Sequence, residues 1–116
     1  MANTFKVKTN AAMPASAGTA LTLYTVPSST TTVVIGLTLC NVHTSAVTAS
    51  VKIESDTSDT ETNENVTVVK DASIPAGSSL ELLSGGKYVL QTTDVVKIDC
   101  SDSAKIDATL SIMEIT

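Results

Sequence analysis

The stretch Thr31-Thr32-Val33-Val34-Ile35-Gly36-Leu37-Thr38-Leu39-Cys40-Asn41-Val42-His43 decides the fold class, together with Ala46-Val47-Thr48-Ala49-Ser50-Val51-Lys52-Ile53-Glu54 beyond Thr44-Ser45. Apolar residues recur in it at every second position. Val33, Ile35, Leu37 and Leu39 fall on one face of an extended chain, and Val47, Ala49, Val51 and Ile53 on one face of the next. Successive side chains of a strand point to opposite faces, so a period of two reads as two half-buried β-strands joined by a turn. Thr and Val are β-branched and suit such a pleated surface.

The same rhythm continues in both directions. Phe5 and Val7 alternate with Lys6 and Lys8, Leu21 and Leu23 with Thr22 and Tyr24, and Val96, Ile98 and Cys100 with Lys97 and Asp99. Val66, Val68 and Lys70 share a face, and Ile106, Ala108, Leu110 and Ile112 alternate with Asp107, Thr109 and Ser111. Nowhere does a helical spacing persist for three turns. Breaks fall at Pro27-Ser28-Ser29, in the polar segment 56–65, at Ile74-Pro75-Ala76-Gly77-Ser78, at Thr92-Thr93-Asp94 and at Ser101-Asp102-Ser103. Ser84-Gly85-Gly86 reads as a tight hairpin, because glycine supplies the positive φ that primed turns require.

The expectation is an all-β chain of nine short strands at 4–9, 20–26, 31–43, 46–55, 66–71, 79–83, 87–90, 95–100 and 104–115. One sheet cannot cover so many half-apolar faces. Two sheets packed face to face can, so the fold is read as an antiparallel β-sandwich, jelly-roll-like. Residues 1–116 form one such domain, and 1–19 serve as a flexible or exchanged N-terminal arm, with Ala11 to Thr19 its loosest part.

Composition excludes several functions. The 116 residues carry seven Lys, no Arg and twelve Asp and Glu, for a net charge of −5. Nucleic-acid binding needs a cationic footprint to displace counterions, and an anionic membrane surface needs Lys/Arg clusters, so neither partner is expected. Only 16% of the residues are charged, and 14 Ser with 19 Thr fill the difference. Val33 to Leu39 is the longest apolar run, far short of the roughly 20 residues of a membrane-spanning helix. Behind Lys6 and Lys8 no apolar segment follows, so no secretory signal is read and a reducing cytoplasm is expected. There Cys40 and Cys100, sixty positions apart, are read as free thiols acting as small buried hydrophobes; a disulfide between them would close a long loop.

No residue set with catalytic, cofactor or metal-binding chemistry emerges. Glu54, Asp56, Asp59, Glu61 and Glu64 form an acidic cluster, but without the alternating carboxylates and glycine of a calcium loop it reads as a solvated loop. His43 is the single histidine and stands at a strand end with no nucleophile elbow in the chain. Zinc is disfavoured by one His and two distant Cys, and Gly85-Gly86 has no Walker-type Lys-Ser/Thr. Asn65-Val66-Thr67 matches a glycosylation triplet that has no meaning without secretion. Phe5, Tyr24 and Tyr88 are the aromatics, too few for the stacking platform of a glycan binder. The chain is therefore not expected to be an enzyme.

The runs Thr4-Phe5-Lys6-Val7-Lys8-Thr9, Tyr24-Thr25-Val26-Pro27, Thr32-Val33-Val34-Ile35-Gly36-Leu37, Ile74-Pro75-Ala76-Gly77-Ser78-Ser79-Leu80-Glu81 and Gly86-Lys87-Tyr88-Val89-Leu90-Gln91-Thr92-Thr93-Asp94 carry a resemblance. Across residues 4–115 the chain resembles small virion structural proteins of tailed phages, notably those of marine cyanobacteria. The resemblance implies a non-enzymatic particle component, assembled in the host cytoplasm, with capsid decoration or cement as the leading role. Neck or tail-fibre attachment is the alternative within that class, and a soluble glycan- or ligand-binding module the alternative outside it. Other virion proteins are the implied partners: the major capsid protein, or neck and tail proteins. Virion positions are symmetric, so a homo-oligomer, trimer or ring, is expected through edge strands and the N-terminal arm.

Overall fold

A computed structural model describes residues 2–55, 62–83 and 86–116. Every regular element among them is a strand: β1 (Asn3–Met13), β2 (Leu21–Thr25), β3 (Thr31–Asn41), β4 (Val47–Glu54), β5 (Val66–Ile74), β6 (Ser79–Glu81), β7 (Tyr88–Leu90), β8 (Val95–Cys100) and β9 (Ile106–Ile115). They pair antiparallel in two sheets. The five-stranded sheet runs β1-β9-β3-β6, with β7 also on β3, and the four-stranded sheet runs β2-β8-β4-β5. Counting β6 and β7 as one interrupted strand leaves four positions per sheet, with β1 at the edge of its sheet and the last strand, β9, between β1 and β3. That is the jelly-roll order.

The sandwich closes over the faces with the cleanest alternation. Val47, Ala49, Val51 and Ile53 on β4, Val96, Ile98 and Cys100 on β8, and Ile106, Ala108, Leu110 and Ile112 on β9 are all buried. Burial of each Val, Leu or Ile side chain among them contributes about 1.5–3 kcal/mol.

Three expectations change. Val33 and Ile35 do not share a face with Leu37 and Leu39. β3 pairs Val34 with Ile112 and then Gly36 with Ser111, so Ile35 is one residue too many for its partner strand. Such a bulge flips the phase of the strand, so Thr32 and Val34 point inward before it and Leu37, Leu39 and Asn41 after it. On β2 a register shift between Thr22 and Tyr24 likewise buries both Leu23 and Tyr24, where strict alternation would separate them. Finally, the strands flanking Ser84-Gly85-Gly86 are not a hairpin pair. β6 pairs with Thr38–Cys40 and β7 with Thr32–Val34, both antiparallel to β3, so they run in one line along its edge. Ser84 and Gly85 themselves lie outside the described residues.

β1 is longer than expected and runs through Ala11 to a fully buried Met13. The segment after it is tied down: Ala17 N–H donates to Ser103 Oγ, Gly18 N–H to Asp99 Oδ1, and Ser16 bridges Thr19.

Candidate assembly surface

β1 is the edge of the five-stranded sheet. Ala2 and Thr116 exchange two backbone hydrogen bonds, 3.1 and 2.9 Å long, and the pairing proceeds in constant register from Asn3↔Ile115 to Asn10↔Ala108. In an antiparallel ladder hydrogen-bonded pairs alternate with non-bonded ones. Thr4, Lys6, Lys8 and Asn10 therefore turn their N–H and C=O groups toward β9. Asn3, Phe5, Val7 and Thr9 turn theirs away, along the open edge of the sheet.

A polar chain fastens this edge to the rest of the sandwich. Glu114 lies on β9 among the inward-facing positions and is buried. Its carboxylate accepts a 2.5 Å hydrogen bond from Tyr24 Oη, which comes across from the second sheet, and pairs with Lys6 Nζ at 2.7 Å. Thr32 Oγ1 lies 2.8 Å from the same phenol oxygen and donates to it. The Lys6 ammonium and then the Tyr24 hydroxyl hold the Glu114 carboxyl below its ordinary range despite burial. Burial, reinforced by the hydrogen bond to Glu114, pushes the Tyr24 phenol up to about 12.

The outer face of the same sheet is apolar at this end. Phe5 stands opposite Met113, Met113 opposite Val33, and Val33 opposite Val89, so one row crosses four strands. Phe5 is 73% exposed, Val89 65% and the neighbouring Val7 60%. Ile35, lifted out by the bulge, and Ile115 flank the row. None of the four residues of the row is charged. Among the described residues charge borders it at exposed Lys87, two positions before Val89, at Glu81, whose carboxylate reaches to Gly36 and accepts from Thr38 Oγ1, and at Asp107. The exposed Phe5, Val7 and Val89 lie close together on this face, and contiguous exposed apolar surface marks an interaction site. Alternation by itself assigns Phe5, Val7, Val33 and Ile35 to a core, which is why this surface is not visible in the sequence. The buried acid is visible, because Glu114 continues the phase of Ile106, Ala108, Leu110 and Ile112.

The residues singled out by chemistry lie apart. His43 Nε2 is 3.2 Å from Asp102 Oδ2 at one end of the sandwich, and its backbone N–H donates to Asn41 Oδ1. Cys40 is half-buried on the outer face of the first sheet and Cys100 buried in the second; both are free. Of the acidic cluster, Glu54 pairs with Lys97 at 3.2 Å, Glu64 is exposed, and Asp56, Asp59 and Glu61 lie outside the described residues. Tyr24 and Tyr88 sit in different sheets. Val66, Val68, Tyr88 and Leu90 line an open cleft of about 610 Å³ whose acids are Glu64 and the buried Asp94. No group of three or more His, Cys, Asp or Glu gathers among the described residues.

No family model matches the chain, and no curated protein does. Two solved structures share its fold. A chain of the T13 IBDV viral particle superposes with a TM-score of 0.58 at 14% identity over 97% of this chain. This chain spans 30% of that protein's length. A chain of the disulfide-linked pili formed by Bacillus endospore appendages superposes with a TM-score of 0.53 at 15% identity, over 99% of this chain and 87% of the other.

Proposed function

We propose that this chain is a non-enzymatic structural subunit of a virus particle, the particle of a tailed phage, and that it decorates or cements the capsid. The observation that carries this reading is the outer face of the first sheet. An uncharged apolar row beside an open strand edge is a surface made to be covered by protein. The likeness to a viral-particle chain supports it, since that chain uses the same sandwich in a multi-subunit shell. A cement protein works by mass action: it binds the assembled shell and not the free subunits, which lowers the free energy of the assembled state. Its partner is then the major capsid protein, its assembly takes place in the host cytoplasm, and its final location is the virion.

The pilus likeness favours one other reading, a neck or tail-fibre adaptor, because there the sandwich builds a fibre. Mass spectrometry of purified particles with copy counting separates the two. Hundreds of copies, with loss of heat or osmotic tolerance when the chain is missing, support cement. A dozen copies, with fibreless or tailless particles in its absence, move the protein to the neck or tail. Absence from the particles overturns both.

A further inference from the structure

We propose that two copies of this chain join edge to edge through β1, antiparallel about a two-fold axis at Phe5, so that their five-stranded sheets become one continuous sheet. The inference rests on the reading of the chain as an assembling subunit and names the contact between copies. The outward N–H and C=O groups of Asn3, Phe5 and Val7 form the template. Phe5 exchanges bonds with Phe5 of the partner subunit, and Asn3 with the partner's Val7 and the reverse, about six bonds in all.

The partner is argued from the edges this fold possesses. β5 has two register shifts against β4 and a left-handed residue at Asp71. β2 is five residues long and shifted in its middle, while β6 and β7 are three residues each and interrupted. β1 keeps one register from Asn3 to Asn10. A strand pair must match pleat over its whole length, so among the described edges only another β1 fits β1.

The charges exclude registers centred on Lys6 or Val7, and the bond count favours Phe5 over Thr4, where only Asn3 and Phe5 would pair with the partner's Phe5 and the partner's Asn3. With Phe5 opposite Phe5 of the partner subunit, Lys6 faces the partner's Thr4 and Lys8 the partner's Ala2. Moving the axis to Lys6 sets Lys6 against the partner's Lys6, and moving it to Val7 sets Lys6 against the partner's Lys8. Like charges directly opposite are destabilising. The Phe5 register also aligns the two outer rows, so that Phe5, Met113, Val33 and Val89 of each copy form one uninterrupted apolar band, with the two phenyl rings at its centre. An isologous contact of this kind closes after two copies. It is a different closure from the trimer or ring that the sequence suggests, for which two different matching edges are needed.

Because an edge contact is smaller than a standard interface, the pair is expected to dissociate on dilution. The test combines sedimentation velocity of the full chain over a concentration series with residue-resolved amide exchange. The expected result is a monomer–dimer equilibrium in which the Phe5 and Val7 amides become at least tenfold slower to exchange in the concentrated sample. The Lys6 and Lys8 amides, bonded to β9, are protected at both concentrations. Val7→Pro removes an outward N–H while sparing the ladder to β9, and it should weaken dimerisation at least tenfold with an unchanged β spectrum. A monomer at every concentration, a trimer or larger ring, or a dimer whose Phe5 and Val7 amides exchange as fast as in the monomer overturns the proposal. Recovery of the chain from particles in many copies alongside any of those results sinks this contact and spares the virion reading. A β1-paired dimer absent from particles does the reverse.

Discussion

Glu114 keeps its charge in the interior because Lys6 and Tyr24 replace the water it lost. Hydrogen bonds to a charged group are worth about 1.5–3 kcal/mol, so Glu114→Gln should lower the unfolding free energy at pH 7 by about 2 kcal/mol in urea titrations. The pH dependence follows from the sign of the shift. A carboxyl held below its ordinary value of 4.5 contributes stability that is complete above 4.5 and is lost as pH falls through the folded-state value. The gap between wild type and Glu114→Gln should therefore close as the titration is repeated at pH 7, 4.5 and 3. Tyr24 acts in the opposite direction. Its phenol is raised from 10.0 to about 12, so its contribution is complete below pH 10 and is lost between 10 and 12. Tyr24→Phe should remove the fall in stability across that window. Asn41, fully buried, donates from Nδ2 to the Ser45 and Ile74 carbonyls and accepts from the His43 backbone N–H. Asn41→Ala strands these groups, and a loss of about 3 kcal/mol is expected in the same assay.

At the scale of the strand, one extra residue matters more than any single contact. The Ile35 bulge turns the apolar side of β3 over midway, which brings Leu37 and Leu39 into the core and leaves Val33 and Ile35 for the outer row. β9 and β1 are neighbours in the sheet but differ in burial, β9 lying inside it and β1 at its edge. Leu110 on the central β9 is fully buried, and Leu110→Ala should cost about 3 kcal/mol. Val7 on β1 touches no core, and Val7→Ala should stay within about 0.5 kcal/mol. Chemical denaturation of the two variants side by side checks the contrast; equal losses would mean that β1 is covered in the isolated chain. Much of this level is legible in the sequence. The strands, their approximate limits and the inward faces of β4, β8 and β9 follow from period two, since none carries an inserted residue along its inward-facing run. The faces of β2 and β3 do not, because a bulge leaves no mark in the hydrophobic pattern until the partner strand is known.

Across the whole molecule, the jelly roll joins distant parts of the chain. Its first and last strands pair, Asn3 with Ile115, and β3 meets β9 from Thr31 to Asn41. Loop closure must precede such contacts, so refolding is expected in milliseconds to seconds by stopped-flow, not in microseconds. The same topology sets the surface. β1 and β9 share a sheet whose outer side no described residue folds over, and the apolar row lies there. The proposed pairing of two copies uses the β1 edge beside that row and lengthens the row, leaving its face to a further partner.

Residue order alone determined the all-β class, the number of strands and the two-layer architecture, because a period of two permits no other way to bury so many half-apolar segments. It also determined the acidic net charge and placed Glu114 in phase with the core. Tertiary structure decided the rest: which face of β3 turns inward, that β6 and β7 lie end to end along one strand, and that Phe5 and Val7 face outward at an open edge. These depend on which strand lies beside which. Register is a property of the pair, and a single strand read by itself does not contain it.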